Sequence, residues 1–322
     1  MRERVRERVR ERVQPTAARV ATYAPGVLAL ALCLVQLTAP HALTGVHGFN
    51  GPGWDDDVYL GASFGIVSGH VPYKDFVFMH PPGVPLLMIP VAFLGKLVGL
   101  KAAMVVARLL TAVVTGANAV LAAMCVRHRG TAAMAAAGLL LACWRLAPTA
   151  DRTLLLEPYL VLFCLLGVLA MFPKGHLAEG RRMMLAGAAF GFAVTVKIWA
   201  VLVIAIALAS CLGRRKAALN LITGVAVGFG VPCLPFLLLA PADFLRQVVA
   251  DQFLRLTPAN SQVGTPINRL EDLTGLSGLT VFHATANLAL GLCVVVGLGT
   301  AFVLACGSAR LPGSIGWSRP AV

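Results

Sequence analysis

Trp54-Asp55-Asp56-Asp57-Val58-Tyr59, continued by Tyr73-Lys74-Asp75-Phe76 and Met79-His80-Pro81-Pro82-Gly83, interrupts a chain otherwise made of apolar runs. The stretch gathers carboxylates, a lysine, a histidine and aromatics just after the first run of membrane length. Nearly everything C-terminal to it is compatible with hydrocarbon-embedded helix. Any chemistry is therefore expected here, at the mouth of a helical bundle.

The chain has 322 residues, of which 58% are hydrophobic and 13% charged. That balance excludes an ordinary soluble domain and indicates an all-α polytopic membrane protein. The net charge of +13 does not point to nucleic acid. The basic residues sit in short clusters between apolar runs, as topology signals do, and form no groove interleaved with aromatics. Cys33, Cys125, Cys143, Cys164, Cys211, Cys233, Cys293 and Cys306 lie in or beside apolar runs with no CxxC pair, and read as packing residues.

Residues 1–24 form a basic tail that opens with the repeat MRERVRERVRERV. The first apolar run, Pro25 to Leu43, reads as an uncleaved anchor rather than a signal peptide. Arg127-His128-Arg129, Lys174 with Arg181-Arg182, and Arg214-Arg215-Lys216 are assigned to the cytoplasm. The runs 102–125, 131–149, 153–172, 183–197, 199–213, 217–240 and 284–306 then alternate in direction. Gly83 to Gly99 breaks that alternation; it is short, carries Lys96, and is interrupted by Pro85 and Pro90. It is expected to be a re-entrant or interfacial helix, with a nine-span count as the competing topology. The expected architecture is a single bundle, 25–306, of about eight transmembrane helices. The half-inserted segment 83–99 lies in a first outer loop, 45–101; a second outer loop covers 241–283, and 307–322 is a cytoplasmic tail. The N-terminus is expected inside the plasma (inner) membrane and the site on its outer face. All acidic residues except Glu3, Glu7, Glu11 and Glu179 then fall on the outer side.

Asp55-Asp56-Asp57 reads either as a hydrated loop start or as carboxylates tuned for work. Neighbouring carboxylates raise one another's pKa, and one tuned upward serves as a general base toward a hydroxyl. Trp54, Tyr59, Tyr73, Phe76 and Phe78 suit a membrane interface as anchors. Asp151-Arg152 and Glu157 sit around the start of a span, where charge faces a cavity or a partner. Glu157 either pairs with Arg152 or Arg145 or belongs to a site. Lys197 and Arg108 each read either as structural cations or as donors of positive charge to a lipid phosphate. Arg255 and Arg269 either grip a phosphate bidentately or satisfy Asp251, Glu271 and Asp272. No GxxxxGK[ST], HExxH or GxSxG motif is present, and no GxGxxG follows a strand pattern, so soluble nucleotide-driven chemistry is unsupported.

The order of these motifs resembles the GT-C glycosyltransferases, nearest the branch of protein O-mannosyltransferases and lipid A aminoarabinose transferases (glycosyltransferase family 39-like). That family's D-E-x-x-Y element is matched by Asp55-Asp56-Asp57-Val58-Tyr59, and its [KR]-P-P-L element by His80-Pro81-Pro82-Gly83, with histidine in place of the basic residue. Ala107-Arg108-Leu109 and Gly191-Phe192-Ala193-Val194-Thr195-Val196-Lys197 match two later elements, and Asp151 or Glu157 takes the place of a later acid. The resemblance covers Trp54 to Lys197. The chain ends soon after Cys306, where members of that family continue, which implies a short or truncated member.

The resemblance implies an inverting transfer of sugar from a polyprenyl-phosphate donor to a hydroxyl of a glycan, lipid or protein. Asp55 or Asp56 would be the base, while Arg108, Lys197, Arg255 and His80 would hold the donor phosphate. Asp57, Tyr59, Asp151 and Glu157 would support the acidic or acceptor side. No metal or other cofactor is expected, with a divalent ion on Asp55, Asp56 and Asp151 as the alternative. The competing functions are a transporter or lipid-linked-sugar flippase and a catalytically inactive GT-C-like subunit.

Overall fold

A computed structural model describes residues 2–38, 54–143 and 153–251. Among the described residues there are eleven α-helices and no strand, only an isolated bridge between Pro72 and Phe76. The expected last span 284–306, most of the loop 241–283, Asp151 and Arg255 lie outside the described residues.

The helices are α1 (Arg2–Thr38), α2 (Trp54–Val67), α3 (Gly83–Leu87), α4 (Ile89–Val98), α5 (Leu100–Cys125) and α6 (Thr131–Cys143). They continue as α7 (Leu156–Met171), α8 (Arg181–Val196), α9 (Val201–Ser210), α10 (Arg215–Leu239) and α11 (Pro241–Leu245). Thr16–Val35 within α1, all of α5 and all of α10 are long and apolar enough to cross a membrane. The remaining apolar helices are shorter, and the fold is that of an all-α polytopic membrane protein.

Two expected segments differ from the structure. The segment 83–99 is two helices of 5 and 10 residues broken at Met88, not one. Pro85 and Pro90 withhold N–H donors on either side of that break. The run 199–213 forms a 3-10 turn, Ile198–Ala200, and then α9, which has 10 residues. A helix of that length rises only about 15 Å, half the thickness of the hydrocarbon layer.

Helices α5 and α6, and α7 to α10, follow one another through turns or short loops, so successive members reverse direction. The basic turn Arg127–Arg129 meets the turn Pro173–Gly175, where a Cβ on Gly175 would lie 2.8 Å from the His128 ring. The Arg214 turn between α9 and α10 belongs to the same end. The start of α2, the His80 loop, the start of α7, Lys197 and α11 lie at the opposite end. There the largest apolar cluster collects Tyr59, Leu60, Tyr73, Phe78, Met88, Leu154, Tyr159, Val196, Phe236 and Phe244.

The closest helix pair is α8 with α10. A Cβ built on Gly187 would stand 2.1 Å from the Leu221 carbonyl oxygen, and one on Gly191 2.4 Å from that of Val225. From the other side, Gly224 meets the Met184 carbonyl oxygen and Gly228 that of Ala188, each at 2.1 Å. Two glycines spaced by four on each helix thus allow backbone-to-backbone packing, the device by which helices associate where no hydrophobic drive exists. This rail ends at Gly191, nearly two turns before Lys197. Gly224→Ala is expected to destabilise the detergent-solubilised protein by about 1–3 kcal/mol through overpacking. Gly230→Ala, whose Cβ meets nothing within 4 Å, is the control and should be neutral or mildly stabilising in the same unfolding measurement.

Candidate active site

Three consecutive aspartates open α2, where negative charge complements the helix dipole. Successive helical positions point about 100° apart, so the three cannot share one environment. Asp56 is fully buried, whereas Asp55 and Asp57 are exposed. The Asp56 carboxylate accepts hydrogen bonds from Arg108 Nε at 2.8 Å and from Arg108 Nη2, and its other oxygen accepts the Leu154 N–H. Arg108, only 2% exposed, reaches this pair from α5. Burial raises the Asp56 carboxyl above its ordinary value, while the Arg108 charge and the Leu154 N–H act the other way. Both oxygens are therefore committed inside the protein.

The His80 loop is fixed from three directions. Tyr73 takes a left-handed backbone conformation (φ 72°), and its hydroxyl donates to the His80 carbonyl oxygen at 2.8 Å. Gln247, just beyond α11, accepts the Phe78 N–H at 2.9 Å and donates to the Tyr73 carbonyl oxygen at 3.2 Å. The His80 ring meets Tyr59 and Phe78 edge-on, with centroids 5.8 and 6.3 Å away. At Gly83 a Cβ would lie 2.5 Å from Thr195 Oγ1 and 2.6 Å from the Thr195 carbonyl oxygen. Glycine after Pro81-Pro82 thus lets the loop rest on the end of α8, two residues before Lys197.

Lys197 leaves α8 in an extended conformation and donates to Glu157 Oε1, in the first turn of α7, at 2.5 Å. This pair is open, with the lysine 29% and the glutamate 45% exposed. Asp55 faces the same two charges. Its carboxyl is raised first by partial burial and then by the like charge of Glu157, with Lys197 opposing. The exposed carboxyl of Asp55 within electrostatic reach of an accessible ammonium is an arrangement suited to removing a proton near a departing anion.

The structure brings Asp55, His80, Glu157 and Lys197 to one end of the bundle, with Asp56 and Arg108 locked beneath. Asp56, expected as a base, is fully buried, and Arg108, read either as a structural cation or as a phosphate ligand, holds Asp56. Glu157 pairs with Lys197, while Arg145 and Arg152, the partners that its structural reading offered, lie outside the described residues. Tyr59 is buried and supports the His80 ring, and Asp57 faces outward. Asp151 and Arg255 fall outside the described residues. Among the described residues no group of three His, Cys, Asp or Glu side chains is arranged to hold a metal, and the oxygens of Asp56 are already engaged. Sequence reading missed Leu154 and Gln247: the first acts through its backbone, and the second is one polar residue in an unremarkable run.

Removing one partner of a buried ion pair leaves a desolvated charge. Arg108→Met is expected to lower unfolding stability by about 3–5 kcal/mol. Combining it with Asp56→Asn, which keeps an acceptor for the Leu154 N–H, should recover most of that loss. A double-mutant cycle in mixed micelles reads the coupling directly.

The model of glycosyltransferase family 87 matches residues 78–315, most of the chain, including His80, Arg108, Glu157 and Lys197. The match begins after α2 and does not cover its three aspartates. No curated protein and no solved structure matches. The order of motifs that resembles family 39 therefore reflects the wider GT-C type and not that branch. The chain belongs to glycosyltransferase family 87 and is a membrane glycosyltransferase of the GT-C type.

Proposed function

We propose that this glycosyltransferase moves a sugar from a polyprenyl-phosphate donor to an acceptor hydroxyl at the outer face of the plasma membrane, inverting the anomeric centre. The reading rests on one observation, the exposed Asp55 carboxyl within electrostatic reach of the accessible Lys197–Glu157 pair. These groups sit at the end of the bundle opposite the basic turns, and basic turns are retained in the cytoplasm. The lipid tail of the donor lies between helices while its phosphate reaches Lys197.

Asp55 takes the proton of the acceptor hydroxyl as that oxygen attacks the anomeric carbon. The bond between that carbon and the phosphate oxygen breaks, and the phosphate leaves with the electron pair. In-line attack inverts the centre through an oxocarbenium-like transition state, as in inverting glycoside hydrolysis. The Lys197 ammonium offsets the charge that grows on the leaving phosphate. Asp56 acts at one remove: held by Arg108 and Leu154, it sets the rotation of α2 that turns Asp55 outward. This scheme needs no metal ion, since a monophosphate leaves beside a fixed cation. Family membership favours transfer over the transporter reading.

Asp55→Asn is expected to reduce transfer from a radiolabelled polyprenyl-phosphate sugar by about 10²–10⁴-fold, the range for a general base. A base works deprotonated, so the wild-type rate should rise with pH. Because the Asp55 carboxyl is raised, that rise should fall above the ordinary carboxylate value of about 3.9. The residual activity of Asp55→Asn should lack this limb. Wild-type rate and pH profile in the variant would refute the assignment.

A further inference from the structure

The site contains a charge mismatch. Among the described residues, Asp55 and Glu157 are both acidic and face the single ammonium of Lys197, with only the His80 ring adding charge near Glu157. A phosphate entering there adds a further negative charge, and the monophosphate left after transfer adds more. Lys197 has three N–H donors, but the one seen in use goes to Glu157 at 2.5 Å. An anion taking a neighbouring donor would be pressed against that carboxylate. Partial exclusion of water makes the repulsion stronger than it would be in bulk solvent.

We propose that Glu157 is a positioning residue that occupies the phosphate seat on Lys197 while the site is empty and is displaced when the donor binds. This rests on the donor reading above and adds to it a competition within the protein. Three features of the pair fit that role. Glu157 lies in the first turn of α7 and is nearly half exposed, so its side chain has room to swing aside. Lys197 is anchored by its backbone: its N–H donates to the Ala193 carbonyl oxygen at 3.0 Å, at the end of the helix that the glycine rail holds. The backbone that carries the ammonium therefore keeps its place when the carboxylate leaves. The contrast with Asp56–Arg108 is the third feature. That pair is sealed from solvent and held additionally by the Leu154 N–H, whereas the Glu157–Lys197 pair is open to an incoming ligand.

The role of Glu157 while the site is empty is to keep Lys197 directed into the site and its charge balanced. The same contact lowers affinity for the spent lipid phosphate, because the carboxylate competes to return to the ammonium. Release of product is thereby assisted by a group that takes no part in the bond changes.

The test is equilibrium binding of labelled farnesyl phosphate to the full-length protein in detergent, which requires no turnover and no knowledge of the sugar. Glu157→Gln and Glu157→Ala should each bind about tenfold or more tightly than wild type, and Lys197→Gln at least tenfold more weakly. In a Lys197→Gln background the Glu157 substitutions should no longer tighten binding, because the competition runs through that ammonium. Two Glu157 variants guard against one failing to fold. Unchanged or weaker binding in both Glu157 variants, with Lys197→Gln still impaired, overturns the competition and leaves the donor reading standing. Equal tightening with and without Lys197 also overturns it, since that would be relief of general repulsion. Absence of binding in wild type and in every variant overturns the donor reading together with this inference.

Discussion

The buried contact between Asp56 and Arg108 is the constraint on which the rest of the site depends. It joins the first turn of α2 to the third turn of the apolar helix α5, and through the Leu154 N–H it also secures the approach to α7. A charge taken out of water is tolerated only with its partner and its hydrogen bonds in place. The pair therefore permits one rotation of α2. With Asp56 turned inward, the helical step turns Asp55 toward Glu157 and Lys197, and Asp57 toward solvent. Three adjacent residues of one type acquire three different roles from geometry alone.

A second framework meets the first from the other side. The α8–α10 glycine rail carries Lys197 to the end of the bundle, and Gly83 rests on Thr195 where α8 stops. Tyr73 and Gln247 tie the His80 loop to the segment after α10. The accessible charges are thus mounted on backbone contacts that leave little freedom, while the Glu157 and Lys197 side chains themselves stay partly exposed. Rigid support beneath an adjustable surface is what the proposed binding and release of a lipid phosphate requires.

Much of this was legible in the sequence because charge is conspicuous in an apolar chain. Asp55, Asp56, Arg108, Glu157 and Lys197 stood out for the cost of placing them near hydrocarbon, and the structure collects them at one end. Their partners were not legible. Which aspartate is buried depends on the rotation of α2 against α5, and spacing within the motif carries no information about it. The glycines at 187, 191, 224 and 228 look like ordinary membrane-helix residues until two backbones are seen to touch. Helix existence was read correctly for the long run 102–125, but the prolines and the short run after Lys197 produced shorter helices than composition implied. The family branch was not legible for a related reason: the acidic and Pro-Pro elements are short, whereas the family 87 match runs over 78–315.

The most direct test of the account is a structure of the protein bound to polyprenyl phosphate, the leaving group shared by every donor of this class. The account predicts a phosphate oxygen about 2.7–2.9 Å from Lys197 Nζ, the distance of a charge-assisted hydrogen bond. The Asp55 carboxylate should face the same cavity, with Asp56 still held by Arg108 and the Leu154 N–H. A phosphate bound among the basic turns at Arg127 or Arg214, or an Asp56 carboxylate freed from Arg108 and turned into the cavity, would contradict it.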